Sequence, residues 1–310
     1  MTPYAAVWER LERGRCVVLD GGIGSELVRR GVRWRDHGMR SDAAAVQALH
    51  TEYLLAGAHL IRTNTFQLNR RIYDNVFRDA VHRRHIGAPD LEQRVPVLVK
   101  RAVGLARSAR EQAGRSEVAI AGVMSPLEHC FRPDLAIADE KATAEHREIA
   151  CLLAEAGVDL LLLESMNALA EARVAIGAAV STGLPVWVSF VVGEDGHVLS
   201  GESLRAGYEL ARDGGVEALL VNCAPPADVD VALGRLDEAS VWLGAYAHVG
   251  RFDPPSWKFE FFPRFTGDDE WTPQGYAAVA AGWRERGARI VGGCCGTGPA
   301  HIRALVEIME

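Results

Sequence analysis

Ala288-Arg289-Ile290-Val291-Gly292-Gly293-Cys294-Cys295-Gly296-Thr297-Gly298 runs from a short apolar segment, through a glycine-rich corner holding two adjacent cysteines, into the helix-like stretch Pro299–Met309. A strand that passes its chain to a helix across such a corner is one βα unit, with the corner at the strand's C-terminal end. In extended chain, neighbouring side chains point to opposite faces, so consecutive thiolates reach one metal only where the strand ends and the backbone bends. The flanking glycines permit that bend. A third soft ligand would complete a catalytic type of zinc site, with three protein ligands and one open position. Cys223 is the candidate, because it ends the second buried-looking run, Leu219-Leu220-Val221-Asn222. Taken alone, adjacent cysteines also read as a vicinal disulfide or as small buried residues; Cys223 at an equivalent strand end favours the metal.

Working outward from this unit, the same pattern recurs along the chain. Strands are expected at Cys16–Asp20, His59–Asn64, Val118–Val123, Leu160–Glu164, Val186–Val191, Ala218–Cys223, Val241–Ala245 and Ala288–Gly292. Helices are expected at Asp42–Ala56, Arg94–Ala113, Asp139–Ala156, Ala168–Ser181, Leu204–Asp213, Asp228–Glu238, Thr272–Arg286 and Pro299–Met309. Eight nearly continuous apolar strands alternating with helices suit a parallel sheet covered on both faces. The economical α/β reading is a single-domain (β/α)8 TIM barrel spanning residues 1–310. A doubly wound open sheet is the alternative, but Asp20-Gly21-Gly22-Ile23-Gly24 lacks the dinucleotide spacing expected after its first strand. In a barrel, chemistry sits at the C-terminal strand ends, which here carry Asp20-Gly21-Gly22, Thr63-Asn64-Thr65, Glu164-Ser165, Asn222-Cys223, Tyr246-Ala247-His248 and Cys294-Cys295. Ser25 is expected to cap the helix that follows it.

Two connections are long. Residues 70–93 hold Arg78, His82, Arg83, Arg84 and His85 and read as a solvated excursion or a lid. Residues 251–271 hold Phe252, Trp257, Phe259, Phe261, Phe262, Phe265 and Trp271, a density of aromatics that either packs on a partner subunit in a homo-oligomer or roofs the site.

Composition narrows the function classes. The 310 residues carry 34 Lys and Arg against 41 Asp and Glu, a net charge of −7 with both signs interspersed, which argues against nucleic-acid binding and a polybasic membrane anchor. No run approaches the length of a membrane span and no signal peptide opens the chain, so a cytoplasmic enzyme is expected. Six cysteines are too few for a disulfide scaffold of this size.

These motifs together resemble the homocysteine S-methyltransferase family, zinc-dependent barrels that include betaine-, S-methylmethionine- and folate-linked methyltransferases. The resemblance is carried by Asp20-Gly21-Gly22-Ile23-Gly24-Ser25-Glu26-Leu27, Thr63-Asn64-Thr65-Phe66, Glu164-Ser165, Asn222-Cys223 and Gly292-Gly293-Cys294-Cys295-Gly296. It implies zinc on Cys223, Cys294 and Cys295, and an acceptor site formed by Asp20, Gly21, Gly22, Glu164 and Asn222, with Asp20 and Glu164 taking the amino group of homocysteine. Methionine is the implied product. Tyr246-Ala247-His248 replaces the Tyr-Pro-Asn common in members that use S-methylmethionine, and Val123-Met124-Ser125-Pro126 replaces a glycine-proline.

Three thiolates on Zn²⁺ leave the centre with one formal negative charge, a mild Lewis acid at which a fourth thiol still loses its proton. That charge favours a cationic donor, and a methyl leaves positive sulfur more readily than positive nitrogen, so the expected order is a small sulfonium such as S-methylmethionine, then betaine, then methylfolate. Other readings are the same chemistry on another thiol or selenol, a zinc hydrolase, and a non-catalytic zinc or thiol redox sensor. Glu164 needs a partner if buried, either the acceptor or a structural arginine. Cys16, Cys130 and Cys151 read as core or loop thiols, with Cys130 near the rim; His248 reads as donor contact or plain packing.

Overall fold

The structure, a computed structural model, describes residues 2–33, 35–76, 81, 84, 90–236, 240–253, 264–266 and 271–310. Its strands are β1 Val17–Val18, β2 Leu60–Arg62, β3 Ala119–Met124, β4 Leu160–Met166, β5 Val186–Phe190, β6 Ala218–Asn222, β7 Trp242–Tyr246, β8 Arg251–Asp253, β9 Arg264–Thr266 and β10 Ala288–Val291. Eight of them form one parallel sheet in the order β1-β10-β7-β6-β5-β4-β3-β2. A parallel bridge between Leu19 and Leu60 joins the two outer strands and closes the sheet into a (β/α)8 barrel. The expected strands all form, most of them shorter than expected; β1 keeps two residues, paired as Val17 with Ile290 and Val18 with Val291.

Helices cover the outside: α1 Pro3–Glu12, α2 Ile23–Arg29, α3 Ala43–Leu55, α4 Arg70–Val76, α5 Leu91–Gln112, α6 Glu140–Ala156, α7 Leu169–Val180, α8 Leu204–Asp213, α9 Pro226–Leu233, α10 Pro273–Glu285 and α11 Pro299–Met309. Strand alternation divides the core in two. Leu60, Leu160, Leu162, Trp187, Leu220 and Ile290 fill the barrel interior, while Ile61, Leu161, Leu163, Val188 and Leu219 face the helices. The same period carries polar side chains into the top layer: Arg62 follows Leu60, Glu164 follows Leu162, and Asn222 follows Leu220.

Helix α1 was not expected from the sequence. Thr2 caps it by accepting from Ala5 N, Pro3 takes the first helical position, and Val7 and Leu11, one turn apart, bury into the barrel interior from below. Trp187 Nε1 donates to the Tyr4 hydroxyl at 3.1 Å, and that hydroxyl donates to Glu217. Helix α1 thereby plugs the bottom of the barrel interior.

The long connections differ from plain loops where they are described. Within 70–93, residues 70–76 are helical and α5 starts at Leu91; Arg70 and Arg71 pair with Glu148 and Glu145 of α6. Arg84 falls on a single described residue, whereas Arg78, His82, Arg83 and His85 lie outside the described residues. Within 251–271, β8 and β9 pair antiparallel. Trp257, Phe259, Phe261 and Phe262 lie outside the described residues, as do the side chains of Phe252 and Phe265; Trp271 packs half-buried against the outer core. Among the described residues, no helix is long and apolar enough to cross a membrane.

Candidate active site

At the top of the barrel, the last strand and its corner are fixed by neighbouring strands. Gly292 N donates to Ala245 O, Gly293 N to Asp20 O, and Cys294 N to Ala247 O. The Thr297 hydroxyl then donates to Cys294 O at 2.7 Å and closes the turn. Glycine is required here for close approach: a Cβ on Gly293 would lie 2.0 Å from Thr297 Oγ1, and one on Gly22 would lie 2.5 Å from Cys294 O. Ser25 does not cap α2, which begins at Ile23 with Gly22 at its N-cap. Its hydroxyl instead accepts from Gly296 N at 3.0 Å, tying the first unit of the barrel to the cysteine corner.

Cys223 sits one residue beyond β6 with φ at 50°, a left-handed conformation that non-glycine residues seldom adopt and that turns its chain sharply at the strand end. The sulfurs of Cys223, Cys294 and Cys295 lie within 4.8 Å of one another. Tetrahedral Zn²⁺ with Zn–S bonds near 2.3 Å spaces its sulfurs by about 3.8 Å, so small movements bring this trio to a zinc geometry. Hydrogen bonding to Cys294 and Cys295, reinforced by burial, pushes the Cys223 thiol well up, while donation from Cys223 and Cys294 holds Cys295 well down. A bound cation would favour the thiolate form of all three. Donor type, number and spacing all fit zinc.

The carboxylates meet on one side chain. Arg62, fully buried, donates from Nε to Asp20 Oδ1 at 2.6 Å and from Nη1 to Glu164 Oε1 at 2.6 Å. Its backbone N donates to Asp20 Oδ2 at 2.9 Å, and Nη2 donates to the carbonyls of Asp20, Gly21 and Gly293. The guanidinium lies over the Tyr246 ring, 5.0 Å from its centre. Burial raises Asp20 to about 6, countered by Arg62; Glu164 is likewise raised by burial against the pull of Arg62.

These groups floor a cavity of about 820 Å³, counted with its open mouth. Gly21, Gly22, Glu164 and all three cysteines line it, together with Arg62, Ser165, Phe66, Phe131 and Cys130. Two residues expected in the acceptor site do not. Asp20 is fully buried outside the cavity lining, with both oxygens bonded to Arg62. Asn222 is also fully buried; its amide donates to the Ser165 hydroxyl at 2.7 Å, and Ser165 too has a positive φ of 59°. His248 is buried beyond β7, with its backbone N donating to Ala224 O, and it does not line the cavity. Cys16 is a core thiol and Cys151 is exposed. Arg62 was missed by sequence reasoning, although a charged residue at an inward position of an apolar strand was the available signal.

The comparisons with known proteins agree with this arrangement. A sequence profile described as homocysteine S-methyltransferase matches residues 17–309. Betaine–homocysteine S-methyltransferase 1 of Danio rerio is 26% identical over 324 residues, covering 97% of this chain and 74% of the relative. S-methylmethionine–homocysteine S-methyltransferase BHMT2 of Rattus norvegicus is 28% identical over 325 residues, covering 97% and 80%. The crystal structure of the homocysteine methyltransferase MmuM from Escherichia coli, in its metallated form, superposes with a TM-score of 0.77 at 25% identity, covering 97% of this chain and 98% of that one. With a profile that spans nearly all of the barrel, the chain belongs to the homocysteine S-methyltransferase family, enzymes of methyl transfer to homocysteine.

Proposed function

We propose that this enzyme is zinc-dependent and moves a methyl group from a small sulfonium, S-methylmethionine or a close relative, to the thiolate of homocysteine, giving methionine. The observation that carries the reading is the convergence of three cysteine sulfurs within 4.8 Å on a cavity whose floor also holds Glu164. Cys223, Cys294 and Cys295 would hold the metal, which when bound supplies the Lewis acidity that lets a substrate thiol ionise at neutral pH. Family membership sets aside the non-catalytic redox reading.

The chain's own residues do the positioning. Glu164 pairs with the acceptor ammonium, and Gly21 and Gly22 present their backbone to the amino-acid end along the cavity wall. Phe66 and Phe131 line the cavity, where an aromatic ring beneath a cationic donor would contribute on the order of 1–2 kcal/mol when desolvated. Methyl transfer then forms one sulfur–carbon bond as another breaks; the thiolate supplies the electron pair, the sulfonium sulfur keeps the departing pair, and no proton moves. Positioning and exclusion of water therefore matter more than a general base.

Relatives named for betaine and for S-methylmethionine match about equally well, so the donor rests on charge and leaving-group chemistry. Betaine is the second reading. Free cysteines fit a reducing compartment, and we assign the enzyme to the cytoplasm. The test is methionine formation by zinc-loaded protein with homocysteine and, in parallel, S-methylmethionine, S-adenosylmethionine, betaine or methyltetrahydrofolate. Turnover with betaine alone or folate alone would refute the donor assignment; turnover with none would refute the function.

A further inference from the structure

A ligand's ammonium is expected between Asp20 and Glu164, yet the barrel already places a cation there. We propose that Arg62 withdraws Asp20 from acceptor recognition, leaves Glu164 as the single carboxylate that pairs with the acceptor ammonium, and is itself the positioning residue through which Asp20 acts. The inference rests on homocysteine being the acceptor and specifies how this chain reads it.

Asp20 is held on both oxygens by Arg62, at 2.6 and 2.9 Å, and is wholly buried beneath the cavity. To reach an ammonium it would have to release the guanidinium and leave a buried positive charge short of its partner, a costly exchange. Glu164 is differently placed: it lines the cavity and is the one carboxylate among the described lining residues, and Arg62 engages its Oε1. Arg62 also halves the charge an acceptor meets, since one guanidinium between two carboxylates leaves the trio with a single net negative charge. The same guanidinium bonds Gly21 O and Gly293 O at 2.7 Å each, and Gly293 directly precedes Cys294. One rigid fork therefore sets the separation between the carboxylate that takes the amine and the sulfur cluster that takes the thiol. Those are the two ends of homocysteine.

The test compares homocysteine with its desamino analogue, the same thiol acid lacking the amine, as acceptors for zinc-loaded parent, Asp20→Asn, Glu164→Gln, Arg62→Lys, Arg62→Met and the Asp20→Asn/Arg62→Met double variant. Folding and zinc content are checked for each. The parent should prefer homocysteine by about 10- to 100-fold in kcat/KM, the range of one charge-assisted bond. Glu164→Gln should abolish that preference. Asp20→Asn should raise KM for both acceptors while keeping the preference within about threefold of the parent, and the double variant should be no worse than Arg62→Met alone, because Asp20 has nothing left to act through. Arg62→Lys keeps the charge but not the fork, and should recover part of what Arg62→Met loses. Loss of the preference in Asp20→Asn, as complete as in Glu164→Gln, overturns the inference, as does an additional loss from Asp20→Asn in the Arg62→Met background. If Arg62→Met does not fold, the comparison of Asp20→Asn with Glu164→Gln decides alone. Absence of parent turnover with homocysteine overturns the functional reading beneath it, a result distinct from either of these.

Discussion

Gly22→Ala adds a single methyl group at the place where the first barrel unit meets the cysteine corner. Gly22 has φ of −70°, so its backbone conformation suits alanine and any effect must be steric. The new Cβ would stand 2.5 Å from Cys294 O, 2.6 Å from Ser25 Oγ and 3.0 Å from Cys294 C, whereas ordinary contact begins near 3.4 Å. The Cys294 carbonyl must therefore retreat by up to about 0.9 Å, several times the 0.2 Å latitude of a metal–ligand distance. Overpacking of this kind costs about 1–3 kcal/mol of stability, and disturbing the support of a metal ligand lowers affinity by about 10- to 100-fold. Gly104→Ala is the matched control: Gly104 lies within α5 and its added methyl meets nothing within 4 Å. That change should stabilise by about 0.4–1 kcal/mol through lost freedom of the unfolded chain. Chelator competition measures zinc affinity and urea unfolding measures stability. Unchanged affinity and an unchanged midpoint in Gly22→Ala would show that the contact between these segments is not what holds Cys294 in place.

Cys223→Ala should remove most bound zinc and all methyl transfer, whereas Cys151→Ser, at an exposed site, should change neither; metal analysis and methionine assay decide, and full zinc in Cys223→Ala would sink the ligand assignment. His50 is fully buried with no partner for either ring nitrogen among the described residues, and burial lowers it to about 4. Its folded pKa lies below the unfolded value near 6.5, so its neutral form supports the fold fully above that value and the support fades as pH falls toward 4, by about 2 kcal/mol between pH 7 and 5. His50→Leu should flatten that part of the stability profile in urea unfolding; an equal acid loss in parent and variant would disprove it. Leu11→Ala, in the plug beneath the barrel, should cost about 2–5 kcal/mol while leaving zinc affinity intact, because Leu11 packs at the opposite end from the cysteines; a fall in zinc binding without a fall in stability would contradict this.

What the sequence reveals follows the range of the physics. Leu160–Leu163 and Leu219–Val221 announce buried parallel strands because both of their faces are covered, and Cys294-Cys295 between glycines announces a corner because two adjacent thiols can converge only there. Helix α1 escapes such a reading: its signals, Thr2-Pro3 and the spacing of Val7 and Leu11, stand before the first strand and outside the βα alternation. The bonding of Arg62 was not legible. Its partners Asp20, Glu164 and Gly293 lie 42, 102 and 231 positions away, and no local period records which of two carboxylates a distant guanidinium will occupy. Ser25 failed for a related reason: its hydroxyl looks like a helix cap in the local chain, yet its partner, Gly296, is 271 residues further on.

The pairing of β1 with β10 also bears on how the protein is made. The first strand can meet β2 early, through Leu19 and Leu60, but its other edge waits until the last strand has left the ribosome, and only then can Val17 meet Ile290 and Asp20 O receive Gly293 N. Two of the three clustered sulfurs, those of Cys294 and Cys295, follow directly on that same final strand. Closing the barrel and completing the sulfur trio thus both await the same strand. A nascent chain stalled short of Ala288 would hold Cys223 as the one member of the sulfur trio, so the three-sulfur site cannot exist before the fold that contains it.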